Sequence, residues 1–198
     1  MLYDLCPCES GKKYKYCCHE YYVDVVKTTQ KNGTIKIPVL DCYVGRNIDQ
    51  TGISYVIVTR GFSYEYLLAG IYLVDIWCLG VKDTYLTKFK SKETFDNFCS
   101  ITGSATNGFD TIPYEKARSI ILGSIQYAAA LEFLPQGEWQ ITKHILEDER
   151  PFKNTFKFGR DGKPFYCAGP YDSKVCANYI KKVTKHGGNW VIPGEFDE

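Results

Sequence analysis

The chain has 198 residues, with 24 Lys plus Arg against 23 Asp plus Glu and a formal charge of +1. This balance excludes nucleic-acid binding by wholesale charge while leaving room for a local patch. No run approaches the eighteen or more apolar residues that a membrane-spanning helix needs. The length suits one sizeable core with a small appendage. The nine cysteines are odd in number, and Met1-Leu2-Tyr3-Asp4-Leu5 lacks the basic and apolar regions of a signal peptide. Together these predict reduced thiols and a cytoplasmic location.

The first feature in chain order is Cys6-Pro7-Cys8, eight intervening residues, then Cys17-Cys18-His19. Zn²⁺ takes four N or S ligands in a tetrahedron, and structural sites fill all four with protein. Cys6 and Cys8 can supply two of them from one side of a short extended turn. Cys17 and Cys18 can supply the others only if the chain turns sharply, because neighbours on a straight strand point apart. His19 is an alternative fourth ligand in place of Cys18. Lys12, Lys13 and Lys15 lie in the intervening loop. Their charge favours thiolate over thiol and offsets the formal −2 of a four-sulfur zinc site.

These residues resemble the SEC-C motif, the zinc-binding tail of SecA type, which is written through Cys-x-Cys, eight residues, Cys and then Cys or His. Glu9 departs from the glycine usual in that family. The resemblance implies one structural Zn²⁺ on Cys6, Cys8, Cys17 and Cys18. It also implies a protein or ribosome partner that meets the knob through Lys12, Lys13, Tyr14, Lys15 and Tyr16. Residues 1–20 are therefore expected to form a zinc-binding motif and residues 21–198 an α+β domain.

Beyond the motif, residues 20–29 suit a short helix and Asn32-Gly33 a turn. Alternation predicts a strand over about 35–43, followed by a polar loop at 45–52. Strands over 53–60 and 64–74, joined by Gly61-Phe62-Ser63, suggest an antiparallel meander. Ser91 caps a helix expected to run to about 101, and 103–110 reads as a loop. Pro113 opens a helix over 114–131, with Ala117, Ile121, Ile125 and Ala128 on its core-facing stripe. A shorter helix follows over 138–146. Thr155-Phe156-Lys157-Phe158 and Phe165-Tyr166-Cys167, around Asp161-Gly162, read as a β-hairpin. A helix capped by Asp172 or Ser173 then runs to Lys185 and ends at Gly187-Gly188, before a last strand near Trp190. Strands, helices, hairpin and helix in that order give an α+β fold.

Residues 74–83 hold the other concentration of reactive groups, with Asp75, Cys78, Lys82 and Asp83 at the end of a strand. A thiol beside Lys82 has the composition of an activated nucleophile. The plainer reading is a buried Cys78, a carboxylate bonded to nearby backbone N–H groups, and Lys82 paired with Asp83 or another acid. Words within 74–83, 158–166 and 169–172 also resemble segments of uncharacterised bacterial proteins, some carrying a SEC-C motif, which implies a shared fold and no mechanism. The sixteen Tyr, eleven Phe and three Trp suit a β-rich core. Base-stacking on an exposed platform is their sharper alternative.

The leading functional expectation is a zinc-binding adaptor whose knuckle recruits a protein or ribosome partner. Its alternatives are an enzyme working through residues 75–83 and a nucleic-acid-binding protein.

Overall fold

The computed structural model describes residues 13, 37–61, 63–64, 67–146, 151–169 and 172–193. Five strands form one antiparallel sheet: β1 (Val39–Gly45), β2 (Ile53–Arg60), β3 (Leu67–Asp75), β4 (Gly80–Phe89) and β5 (Phe109–Ile112). Their spatial order is β4-β3-β2-β1-β5. The first four strands are thus the expected meander, extended by one strand, and β5 returns to pair with β1. With the helices below, this is an α+β fold.

β3 is central, and its side chains are buried on both faces along nearly its whole length. One face carries Val56, Val58, Leu68, Tyr72 and Val74, packed with Ala117, Ile120 and Ile121 of α3 (Tyr114–Ala130). The opposite face carries Ile57, Ala69, Ile71 and Phe89. Phe95 of α2 (Lys92–Ser104) meets Phe89 there edge-on, with ring centroids 5.1 Å apart. Alternation in β2 therefore serves two apolar layers, so the strand reads as a continuous β-branched run.

Local chemistry sets the helix ends. Ser91 Oγ accepts the Thr94 N–H at 3.2 Å, as its position before the helix requires. Pro113 immediately precedes α3, and the expected stripe of Ala117, Ile121, Ile125 and Ala128 turns toward the core. The 45–52 loop contains a single helical turn, α1 (Ile48–Thr51). The expected 138–146 helix is split into α4 (Trp139–Thr142) and a 3₁₀ turn (Lys143–Leu146). Tyr72, fully buried in β3, donates its hydroxyl to the Thr142 carbonyl at 2.7 Å and ties this pair to the sheet.

Two expectations are corrected. The 103–110 loop ends earlier than expected, because Phe109 and Asp110 pair with Gly45 and Val44 in β5. The expected hairpin across Asp161-Gly162 reduces to one bridge between Arg160 and Lys163. β6 (Phe165–Cys167) instead pairs in parallel with β7 (Asn189–Val191), the strand expected near Trp190. Between them α5 (Cys176–Lys185) crosses back over the pair. Residues 155–158 stay unpaired because other groups satisfy their backbone: Thr155 N–H donates to Ser119 Oγ at 2.8 Å and Phe156 N–H to Asn154 Oδ1 at 2.9 Å. The Phe158 ring stacks on Tyr127 of α3 at 5.8 Å. Residues 20–29 and the turn at Asn32-Gly33 lie outside the described residues.

Candidate functional site

The turn from β3 to β4 is built around Asp75. Its Oδ1 accepts the backbone N–H groups of Trp77 and Cys78, each at 2.9 Å, which folds the chain back within four residues. Gly80 completes the reversal at φ +70°, where a Cβ would lie 2.7 Å from Ala128 Cβ and 2.9 Å from the Ser124 carbonyl oxygen. Asp75 is only 8% exposed. Burial drives its carboxyl up to about 6, against the pull of the Trp77, Leu79 and Cys78 N–H groups and of Lys82.

Cys78 is fully buried with Leu79, Ala128, Leu131 and Tyr166. Burial first, and the Asp75 charge second, push its thiol far above the ordinary range, while Lys82 only partly opposes them. That is the environment of an inert structural cysteine, since the thiolate is the reactive form. The Tyr127 hydroxyl is also buried and has no hydrogen-bond partner among the described residues; burial, with Cys78 and Asp75, raises its pKa to about 12.

Lys82 reaches from β4 to the C-terminal layer. Its Nζ lies 3.9 Å from Asp172 Oδ2, with the side chains 20% and 15% exposed. The same carboxylate oxygen accepts Tyr166 O–H at 2.8 Å and Gly169 N–H at 2.9 Å. Cys167, exposed on β6, feels Asp75, Lys82, Asp172 and Arg160, and burial of its sulfur leads the causes raising its pKa. Two backbone bonds complete the seam: Phe165 N–H to the Trp77 carbonyl at 3.2 Å and Gly159 N–H to that of Ile76 at 2.9 Å.

Of the four residues singled out in this stretch, the structure brings Asp75 and Lys82 into one electrostatic group, with Cys78 sealed behind them. Asp83 stands apart. It is exposed, binds the Thr84 N–H at 2.8 Å, and faces the 136–138 loop, where Gly137 passes at φ +67°. That loop covers the β4 edge: Gln136 N–H donates to the Val81 carbonyl at 3.0 Å and Glu138 N–H to that of Thr84 at 2.7 Å. Sequence reasoning missed the parts played by Asp172 and Tyr166. It took Asp172 or Ser173 for a helix cap, whereas α5 starts at Cys176 and the Asp172 carboxylate turns toward Tyr166 and Lys82. Chemically, this arrangement holds β6 and the turn after it against the main sheet through one shared carboxylate.

The metal donors Cys6, Cys8, Cys17 and Cys18, with His19, lie outside the described residues, as do Lys12, Tyr14, Lys15 and Tyr16; Lys13 is exposed. Among the described residues no group of three or more His, Cys, Asp or Glu side chains can hold a metal. The five described cysteines, Cys42, Cys78, Cys99, Cys167 and Cys176, form no disulfide.

Residues 4–20 match the family model of the SEC-C motif. No curated protein and no solved structure matches the chain. The SEC-C motif is of the zinc-binding type, and the chain supplies it with four thiols, a donor set suited to Zn²⁺. No helix among the described residues is long and apolar enough to cross a membrane.

Proposed function

We propose that this protein is a zinc-dependent interaction module. Cys6, Cys8, Cys17 and Cys18 hold one structural Zn²⁺, and the knob so formed recruits a protein or ribosome partner. The observation that carries this reading is the SEC-C match over 4–20, with four sulfur donors inside it and three lysines between the donor pairs. A metal supplies the folding free energy that a knob of this size cannot draw from a core of its own. In this reading Lys12, Lys13, Tyr14, Lys15 and Tyr16 meet the partner. In this reading residues 21–198 are a carrier domain, and the Asp75–Lys82–Asp172 group belongs to its internal construction.

The test is affinity capture from a bacterial lysate with the full chain and with its Cys6→Ser/Cys8→Ser variant, each assayed for zinc. The proposal expects the same ribosomal or chaperone proteins to be retained by the zinc-bound chain and lost with the variant. Equal retention by both would place binding elsewhere on the protein.

A further inference from the structure

The near-neutral net charge conceals a strong segregation. Residues 151–193 contain eight Lys or Arg against two acidic residues, a charge of +6, while residues 37–150 carry ten against fourteen, a charge of −4. The basic segment comprises the stretch 151–164 that leads into β6, then β6, α5, β7 and the turns between them. Lys182 and Lys185 are answered by Glu132: Lys182 donates to its backbone carbonyl at 2.7 Å, and Lys185 pairs with its carboxylate. Lys153, Lys157, Arg160, Lys163, Lys174 and Lys181 are all exposed, and none makes an ion pair among the described residues.

An apolar ring accompanies this surface. Trp190 lies on β7 beside Tyr166 and is 43% exposed, whereas its neighbour is fully buried. β6 spans about 10 Å, with Lys163 just before it and Lys174 in the turn that follows its end. The Arg160 guanidinium lies over the Phe165 ring at 4.6 Å and the Trp77 ring at 5.2 Å, so it is held in place while staying accessible. Unpaired like charges on so short a segment repel one another, and a polyanion bound there relieves that repulsion.

We infer that the C-terminal layer is a binding surface for single-stranded nucleic acid, its lysines tracking phosphates and Trp190 stacking on a base. Charge on the backbone and a π-face for bases are the two elements such surfaces combine. An anionic membrane suits the surface less well. α5 turns Tyr179, Ile180 and Val183 inward against Tyr166 and Phe133, leaving no continuous apolar face to insert among the described residues. This inference does not rest on the adaptor reading.

The test is fluorescence anisotropy with the zinc-loaded full chain and labelled 20-nucleotide oligo(U) and oligo(dT), titrated between 50 and 300 mM NaCl. Binding of oligo(U) alone or of both distinguishes an RNA surface from one for either single strand, and both support the inference. Each phosphate contact on a single strand contributes about 0.7 to the salt slope. Lys163→Gln/Lys174→Gln/Lys181→Gln is therefore expected to flatten the slope by about 2 and to weaken binding about tenfold to a hundredfold at 100 mM. Trp190→Ala is expected to weaken binding about tenfold at an unchanged slope. Lys12→Gln/Lys13→Gln/Lys15→Gln in the knuckle is expected to leave binding within twofold. Absence of binding at 50 mM NaCl, an unaffected triple lysine variant, or loss of binding through the knuckle lysines alone would each overturn the inference. Association with phosphatidylserine vesicles and not with either oligonucleotide would overturn it as well.

Discussion

Replacing Asp75 by Asn isolates the electrostatics of the β3–β4 turn. Asn keeps an oxygen that can accept the Trp77 and Cys78 N–H groups but carries no charge. The carboxyl is raised from 3.8 to about 6 by burial, so the folded protein holds its proton through a range where the unfolded chain has lost it. Below about pH 4 both states are protonated and no penalty exists; from pH 4 to 6 stability falls as pH rises; above about 6 the penalty is complete. A shift of about two units corresponds to ~3 kcal/mol at 1.36 kcal/mol per unit. Asp75→Asn should therefore stabilise the protein by up to ~3 kcal/mol at pH 8 and change it little at pH 4. For a chain of this size the gain at pH 8 is about 6–12 °C in Tm. Urea unfolding followed by far-UV circular dichroism, run on both proteins at pH 4, 5, 6, 7 and 8, measures the difference directly. Any other pH-dependent event common to the two chains cancels. A difference independent of pH, or a variant that loses stability progressively above pH 6, would refute the burial argument.

Gly80→Ala should cost about 2–4 kcal/mol, because it combines a strained φ with a Cβ driven into Ala128 and Ser124; chemical denaturation measures it. Tyr166→Phe removes a charge-assisted hydrogen bond to Asp172 from a fully buried ring, and a loss of about 1.5–3 kcal/mol is expected in the same assay. Among the body thiols, exposed Cys167 should react first with iodoacetamide, while Cys42 and Cys78 should stay unmodified until unfolding. Peptide mapping reads this order, and early modification of Cys78 would contradict its placement in the core.

Much of the fold is legible in the sequence because its strongest signals are local. The β-branched run of β2, the Ser91 cap and the four-residue stripe of α3 each specify an element without help from distant residues. β4 was harder to read. It is an edge strand, and Lys82, Asp83 and Lys88 interrupt its apolar pattern, as suits an edge that must not pair with other chains. The 155–158 stretch misled for the opposite reason. Its alternation reflects Phe156 and Phe158, whose rings lie 5.5 Å apart, with Phe158 stacked on Tyr127, while Ser119 and Asn154 take the backbone donors a partner strand would use. Asp172 shows the limit most plainly. A carboxylate before a helix has the signature of a cap, and only tertiary structure reveals that Tyr166 and Lys82 claim it. The metal ligands were the easiest to propose, since spacing and donor type carry that information by themselves.

The most direct test of the zinc-dependent account is metal content and X-ray absorption at the zinc edge on the full chain purified under reducing conditions. The account predicts about one zinc per chain, with a shell of four sulfur atoms at about 2.3 Å, and loss of that zinc in Cys6→Ser/Cys8→Ser. A shell of three sulfurs and one nitrogen would assign the fourth position to His19. Purified protein without stoichiometric zinc, and with no uptake on adding the metal, would contradict the account.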